Sequence, residues 1–204
     1  MNNFWDKNAS HYDRFMKKDR DAYERMYALI RPVVKGKDVL EIATGTGLIA
    51  KNIVGSARLI EATDFSEKMI EIAGKDLHSA KLHFSVQNMF NLPYSAGAFD
   101  VVIISNALHV VAEPKKALDE IRRVLKNGGI LIAPTFTHKD NNLPGKIKAF
   151  FMSVVGFKLY NKWSYNEYID FLNKNGWKVR NSCVLKASFP LTYAECEKEH
   201  IRNP

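Results

Sequence analysis

From Lys37 onward the chain alternates short apolar runs with turn residues and helical stretches. Asp38-Val-Leu-Glu-Ile42 predicts a strand that enters the loop Ala43-Thr-Gly-Thr-Gly47, after which Leu48 to Val54 reads as a helix. Arg58 to Thr63 predicts a second strand. Phe65 to Ala73 follows as a helix with Met69, Ile70 and Ala73 on one face and Ser66 placed as its N-cap. Leu82 to Val86 is a third strand. Phe99 to Ser105 is a fourth, continuously apolar as a strand buried on both faces should be. Pro114 to Leu125 reads as a helix with Ala117, Leu118, Ile121 and Leu125 inward, stopped by Asn127-Gly-Gly129 ahead of a fifth strand, Ile130 to Ala133. Tyr165 to Asn173 predicts another helix, closed by Asn175-Gly176. Trp177 to Phe189 and the stretch after Pro190 predict two more strands with no helix between them, hence an antiparallel pair at one edge. Strand–helix alternation at this pitch builds βαβ units, so the expected class is α/β: a mostly parallel sheet with helices on both faces.

At 204 residues, 46% hydrophobic and 25% charged, the chain has the makings of one packed domain and not of a disordered or coiled-coil segment. No apolar run approaches the ~20 residues that span a bilayer. The first twenty residues are polar and mixed in charge, unlike a secretory leader, so the expected compartment is a reducing cytoplasm. Two cysteines, Cys183 and Cys196, make no disulfide framework and stand in no metal-ligand spacing, and no metal is inferred. The net charge of +8 is segregated: residues 1–38 carry +3, residues 139–180 carry +5, and the stretch between 39 and 138 is neutral. A focused positive field draws anions or an anionic surface, although lysines also serve simply to keep a surface solvated.

The glycine loop between the first strand and its helix is where an open α/β sheet places a ligand. Gly45-x-Gly47-x-x-Ala50 also satisfies the dinucleotide fingerprint taken literally. Glu41 separates the alternatives: a carboxylate at the tip of the first strand repels a pyrophosphate but suits a ligand with an ammonium and a sulfonium. A nicotinamide-dependent oxidoreductase is disfavoured on that ground. Asp64 ends the second strand 19 residues after Gly45, where a carboxylate can accept from both ribose hydroxyls, or can serve as a local cap.

On these residues the chain resembles the class I S-adenosylmethionine-dependent methyltransferases, and within them the small single-domain ubiquinone/menaquinone-type C-methyltransferases. Val39-Leu-Glu-Ile-Ala-Thr-Gly-Thr-Gly47 is similar to the first motif, with Ala43 where many members carry glycine. Thr63-Asp-Phe-Ser-Glu-Lys-Met69 is similar to the second, Val86 to Pro93 followed by Phe99-Asp100 to the third, and Arg123-Val-Leu-Lys-Asn-Gly-Gly129 to the signature before strand five. The resemblance implies a Rossmann-like, seven-stranded, mostly parallel sheet with an antiparallel edge strand. It implies S-adenosyl-L-methionine as the cofactor, held by Glu41, Ala43, Thr44, Gly45, Thr46 and Gly47. It further implies Asp64 at the ribose, Phe65 flanking the adenine, Asn88 at the adenine amino group, Met69 and Met89 among the cofactor-binding residues, Ser105 and Asn106 near the methionine moiety, and Tyr12 closing over the cofactor. One domain is expected: a helical cap at 1–36, the cofactor core at 37–135, an acceptor-side lid at 136–168 and the last helix and edge strands at 169–204.

Methyl transfer is an in-line displacement that releases a neutral thioether, so positioning and exclusion of water carry most of it. A base matters only where the acceptor atom bears a proton. His109, just past the fourth strand, is the candidate, since an imidazole takes protons near neutral pH; its alternative is a packed or capping histidine. The insertion is aromatic, with Phe136, Phe150, Phe151, Phe157, Tyr160, Trp163, Tyr165 and Tyr168, and Pro144 to Gly156 reads as an amphipathic helix flanked by Lys146 and Lys148. Such a wall suits a hydrophobic small-molecule acceptor bearing a negative group, or a membrane-associated one. It can equally be a lid that buries its aromatics in the protein. An RNA substrate is the alternative drawn from charge alone, and a non-catalytic S-adenosylmethionine-binding module is another, because the chemistry needs so few residues.

Overall fold

The computed structural model describes residues 17–76, 79–137 and 160–199. Helix α1 (Arg20–Val34) precedes strand β1 (Asp38–Ile42), α2 (Leu48–Ile53), β2 (Leu59–Asp64), α3 (Glu67–Ala73), β3 (Leu82–Val86) and β4 (Phe99–Ile104). Then come a 3-10 turn (Leu108–Val110; another, Lys17–Asp19, precedes α1), α4 (Pro114–Val124), β5 (Leu125–Ile132), β6 (Thr135–Phe136), α5 (Tyr165–Lys174), β7 (Trp177–Leu185) and β8 (Leu191–Lys198). The strands form one eight-stranded sheet in the order β3-β2-β1-β4-β5-β8-β6, with β7 paired to β8. β3, β2, β1, β4 and β5 run parallel, and β8 runs antiparallel to both β5 and β7. The expected α/β class, the helices on both faces and the antiparallel pairing at one edge are therefore present.

Among the described residues eight strands stand where seven were expected, because the fifth is interrupted. Pro134, which has no N–H to give a ladder, separates β5 from the two-residue β6, and both lie against β8. A second difference concerns Asn127-Gly-Gly129. These residues do not stop α4, which ends one residue before Leu125; they lie within β5. The register jumps from Phe99↔Leu125 to Val101↔Ile130, so the glycines form a bulge. A Cβ on Gly129 would lie 2.9 Å from the Asp100 carbonyl oxygen, and Gly128 sits at φ +74.

The sheet is buried on both sides, and successive residues serve alternate faces. Val39, Val101 and Ile103 point with Ile132, Leu191 and Tyr193 toward α1 and α2, which contribute Met26, Ile30, Val34, Ala50 and Ile53. Leu40, Ile42, Val102, Ile104, Leu131 and Cys196 point the other way, toward Ala117, Leu118 and Ile121 of α4 and Tyr168 and Leu172 of α5. Cys183 packs with the first cluster and Cys196 lies in the second, and both are free thiols.

Candidate functional site

The site assembles at the carboxyl ends of the parallel strands, where an open α/β sheet binds ligands. β1 leads into the glycine loop, whose backbone takes left-handed conformations at Ala43 (φ +54), Gly45 (φ +57) and Gly47 (φ +78). Ala43 bears a steric cost there that glycine would not. Gly47 is required by packing as well as by φ: a Cβ on it would lie 2.7 Å from two carbons of the Phe84 ring and 3.3 Å from the Ala73 Cβ.

Asp64, at the end of β2, braces this loop. Its Oδ2 accepts from the Gly45 N–H at 2.8 Å and its Oδ1 from the Ser66 N–H at 2.9 Å, so the local turn and the tie to the loop are both present. Ser66 then caps α3 by accepting from the Met69 N–H at 3.2 Å. Met69 is buried, and the following side of the site is open, with Phe65 48% exposed. Thr44 and Thr46 are buried, and the Thr44 N–H donates to the Thr63 carbonyl at 2.9 Å. Met89 packs partly buried on the second cluster. Asn88 is exposed, and its carbonyl oxygen accepts from the Phe90 N–H at 3.0 Å in a local turn. Tyr12 lies outside the described residues, as does the helix expected over Pro144 to Gly156.

Glu41 faces the α1–α2 side near the tip of β1 and is only 2% exposed. Burial pushes its carboxyl up to about 8 from the usual carboxylate range, with a small contribution from the charge of Asp64. The nearby Thr44 hydroxyl and Ala50 N–H pull in the opposite direction and do not offset burial. Its Oε2 is buried without a hydrogen-bond partner, and so are Ser105 Oγ and Asn106 Oδ1 just past the end of β4. β1 and β4 are neighbours, with Glu41 opposite Ile103. Three unpartnered side-chain oxygens at the ends of adjacent strands form a set that a donor-rich, cationic ligand satisfies once Glu41 has released its proton. The residues present thus fit the charge of S-adenosylmethionine at one end and its ribose, through Asp64, at the other.

His109 is 5% exposed and its Nδ1 lies 2.8 Å from Thr135 Oγ1. Its ring meets Phe136 edge-on at 6.3 Å, and Phe136 meets Phe189 at 6.2 Å. Asn161 ties the next segment down over this turn, its N–H donating to the His109 carbonyl at 3.1 Å and its Nδ2 to those of Leu108 and Val111. Three of the aromatics expected at the acceptor side are engaged elsewhere. Trp163 stacks on Phe171 at 4.7 Å, the buried Tyr168 donates to the Ala133 carbonyl at 2.7 Å, and Tyr165 hydrogen-bonds Ser182. Sequence reasoning missed Tyr23 and Thr135. Tyr23 sits on the apolar face of α1 four residues from Tyr27, which reads as core, and Thr135 had no motif to mark it.

Both the sequence and the fold have counterparts among known proteins. Residues 40–133 match the family model described as a methyltransferase domain. A demethylmenaquinone methyltransferase of Clavibacter sepedonicus is 33% identical over 144 residues, 70% of this chain and 59% of that protein. Uncharacterized protein MJ1123 of Methanocaldococcus jannaschii is 30% identical over 177 residues, 86% of this chain and 82% of that one. The solved complex between the Haloferax volcanii Trm112 methyltransferase activator and the putative methyltransferase superposes with a TM-score of 0.83 at 17% identity, covering 100% of this chain and 99% of the other. The chain belongs to the class I S-adenosylmethionine-dependent methyltransferases, and the relatives it is similar to include demethylmenaquinone and ubiquinone/menaquinone C-methyltransferases. It spans about half the length of the demethylmenaquinone methyltransferases it matches, from 59% down to 40%.

Proposed function

We propose that the protein transfers a methyl group from S-adenosylmethionine to a hydrophobic small-molecule acceptor. The observation that carries this reading is the buried Glu41, held with an unpartnered oxygen beside a glycine loop that Asp64 braces. S-adenosylmethionine supplies, when bound, an electrophilic methyl group on a positively charged sulfur. Asp64 binds the ribose while steadying the loop, since a carboxylate offers about four acceptor positions. Phe65 covers the adenine from its exposed position. Glu41 receives the ammonium and gives up its proton as it does so.

On the acceptor side, His109, Phe136 and Phe189 make an aromatic wall that favours a planar apolar ring. A demethylmenaquinone is such a ring in the names of the relatives, and it is the acceptor class that this wall supports. Thr135 orients the imidazole through Nδ1. With Nδ1 donating to Thr135, Nε2 takes the proton of an acceptor hydroxyl or ring carbon as the new bond forms.

Replacing Asp64 with alanine tests the cofactor half of this reading. Binding of S-adenosylhomocysteine should weaken roughly tenfold or more, as expected from loss of a hydrogen bond to a charged group, about 1.5–3 kcal/mol. Undiminished binding by a folded Asp64→Ala protein removes Asp64 from the site.

A further inference from the structure

We infer that Tyr23 is a positioning residue for methyl transfer, acting through Asn106; the inference rests on the methyltransferase reading above. Tyr23 lies on α1, 3% exposed, with its ring edge-on to Tyr27 at 6.1 Å. Its hydroxyl oxygen accepts a hydrogen bond from Asn106 Nδ2 at 3.0 Å, joining the N-terminal helix to the end of β4. Asn106 is held at its backbone as well. It adopts the left-handed φ of +52, a conformation asparagine tolerates better than most residues, and its N–H donates to the Pro134 carbonyl at 2.9 Å.

The amide of Asn106 is planar, so committing Nδ2 to Tyr23 fixes where the carbonyl oxygen points. That oxygen, Oδ1, is buried without a partner, as is Ser105 Oγ one residue earlier. A buried acceptor lacking a donor is costly and persists where a ligand or a strained functional geometry requires it. Asn106 stands between the two halves of the site. Glu41 is on the adjacent strand β1, and His109 is three residues further on, in the turn that carries the acceptor-side imidazole. An oxygen held there stands between the strand tip that carries Glu41 and the turn that carries His109, the place the methyltransferase reading gives to the sulfonium. Its partial negative charge favours the charged sulfur of the donor over the neutral thioether of the product. A rotated amide would present its N–H groups to the same cation and repel it. Tyr23 therefore sets the preference for donor over product, and does so without touching either.

The test is calorimetric titration of the full chain with S-adenosylmethionine and S-adenosylhomocysteine, using wild type, Tyr23→Phe, Asn106→Ala and the double variant. Tyr23→Phe keeps the ring and removes only the hydroxyl. It should weaken S-adenosylmethionine about three- to tenfold, the range expected of one neutral hydrogen bond, and S-adenosylhomocysteine by less than about twofold. In the Asn106→Ala background the same change should have no further effect, an outcome a purely structural role for Tyr23 would not produce. Asn106→Ala alone should show the same selectivity for the charged ligand, which keeps the inference testable should Tyr23→Phe fold poorly. Equal losses for both ligands, no loss in either, or an undiminished Tyr23→Phe effect when Asn106 is alanine overturns the inference and leaves the methyltransferase reading standing. A folded wild type that binds neither ligand overturns both.

Discussion

Replacing Glu41 with glutamine should change the pH dependence of stability in a way that no surface substitution would. In the ligand-free protein the carboxyl is held up at about 8, against an ordinary value near 4.5 in the unfolded chain. The folded state therefore keeps a proton that the unfolded state releases. Stability from this group is complete below about pH 4.5 and is lost as pH rises through about 8. The slope is about 1.4 kcal/mol per pH unit over that window. Between pH 6 and pH 8 the wild type loses roughly 2–3 kcal/mol from Glu41 alone. For a chain of this length that is a fall in midpoint of roughly 5–10 °C.

Glutamine has the shape of the protonated acid and no proton to lose, so Glu41→Gln should lack this component. Thermal melts of the two ligand-free proteins at pH 6 and pH 8 supply the comparison, because every other titrating group is common to both and cancels in the difference. The wild type should lose ground to the variant as pH rises, and the gap should narrow when S-adenosylhomocysteine is present, since its ammonium favours the ionised carboxylate. Parallel pH profiles for wild type and variant would refute this, because they would mean that Glu41 is already ionised in the free protein, contrary to its burial.

Three further outcomes follow from local geometry. Ala43→Gly should stabilise the protein by about 1 kcal/mol in chemical denaturation, by relieving the left-handed backbone at φ +54. Gly47→Ala should destabilise it by about 2–4 kcal/mol in the same assay, through the clash with Phe84 together with the strained φ. His109→Gln should leave S-adenosylhomocysteine affinity within about twofold while lowering kcat by about 100-fold or more on an aromatic acceptor that the wild type turns over.

The regular elements were legible because hydrophobic period and turn chemistry agreed along most of the chain. β1 and β3 fall where the apolar runs place them, and Ser66 caps α3 through the Met69 N–H as its position implies. The boundary at Asn127-Gly-Gly129 was misread because a glycine pair signals a stop and a bulge alike, and only the register against β4 distinguishes them. The strand count was short by one for a similar reason, since the broken pairing at Pro134 depends on β8, far along the chain. The placement of Glu41 and Asp64 at the strand tips beside the glycine loop was legible from the sequence. The contacts of Tyr23 with Asn106 and of Thr135 with His109 were not, because their partners lie 83 and 26 residues away. Trp163, Tyr165 and Tyr168 looked like an acceptor wall by composition, but α5 turns Tyr165 and Tyr168 toward Ser182 and Ala133 of the sheet side, and Trp163, just ahead of the helix, stacks on Phe171.

Isothermal titration of the wild-type chain with S-adenosylmethionine, S-adenosylhomocysteine and NAD tests the central claim most directly. Saturable binding of the first two is expected at pH 7, with release of a proton that appears as a buffer-dependent heat, and no binding of NAD. Binding of NAD, or indifference to both sulfur ligands by a folded protein, would contradict it.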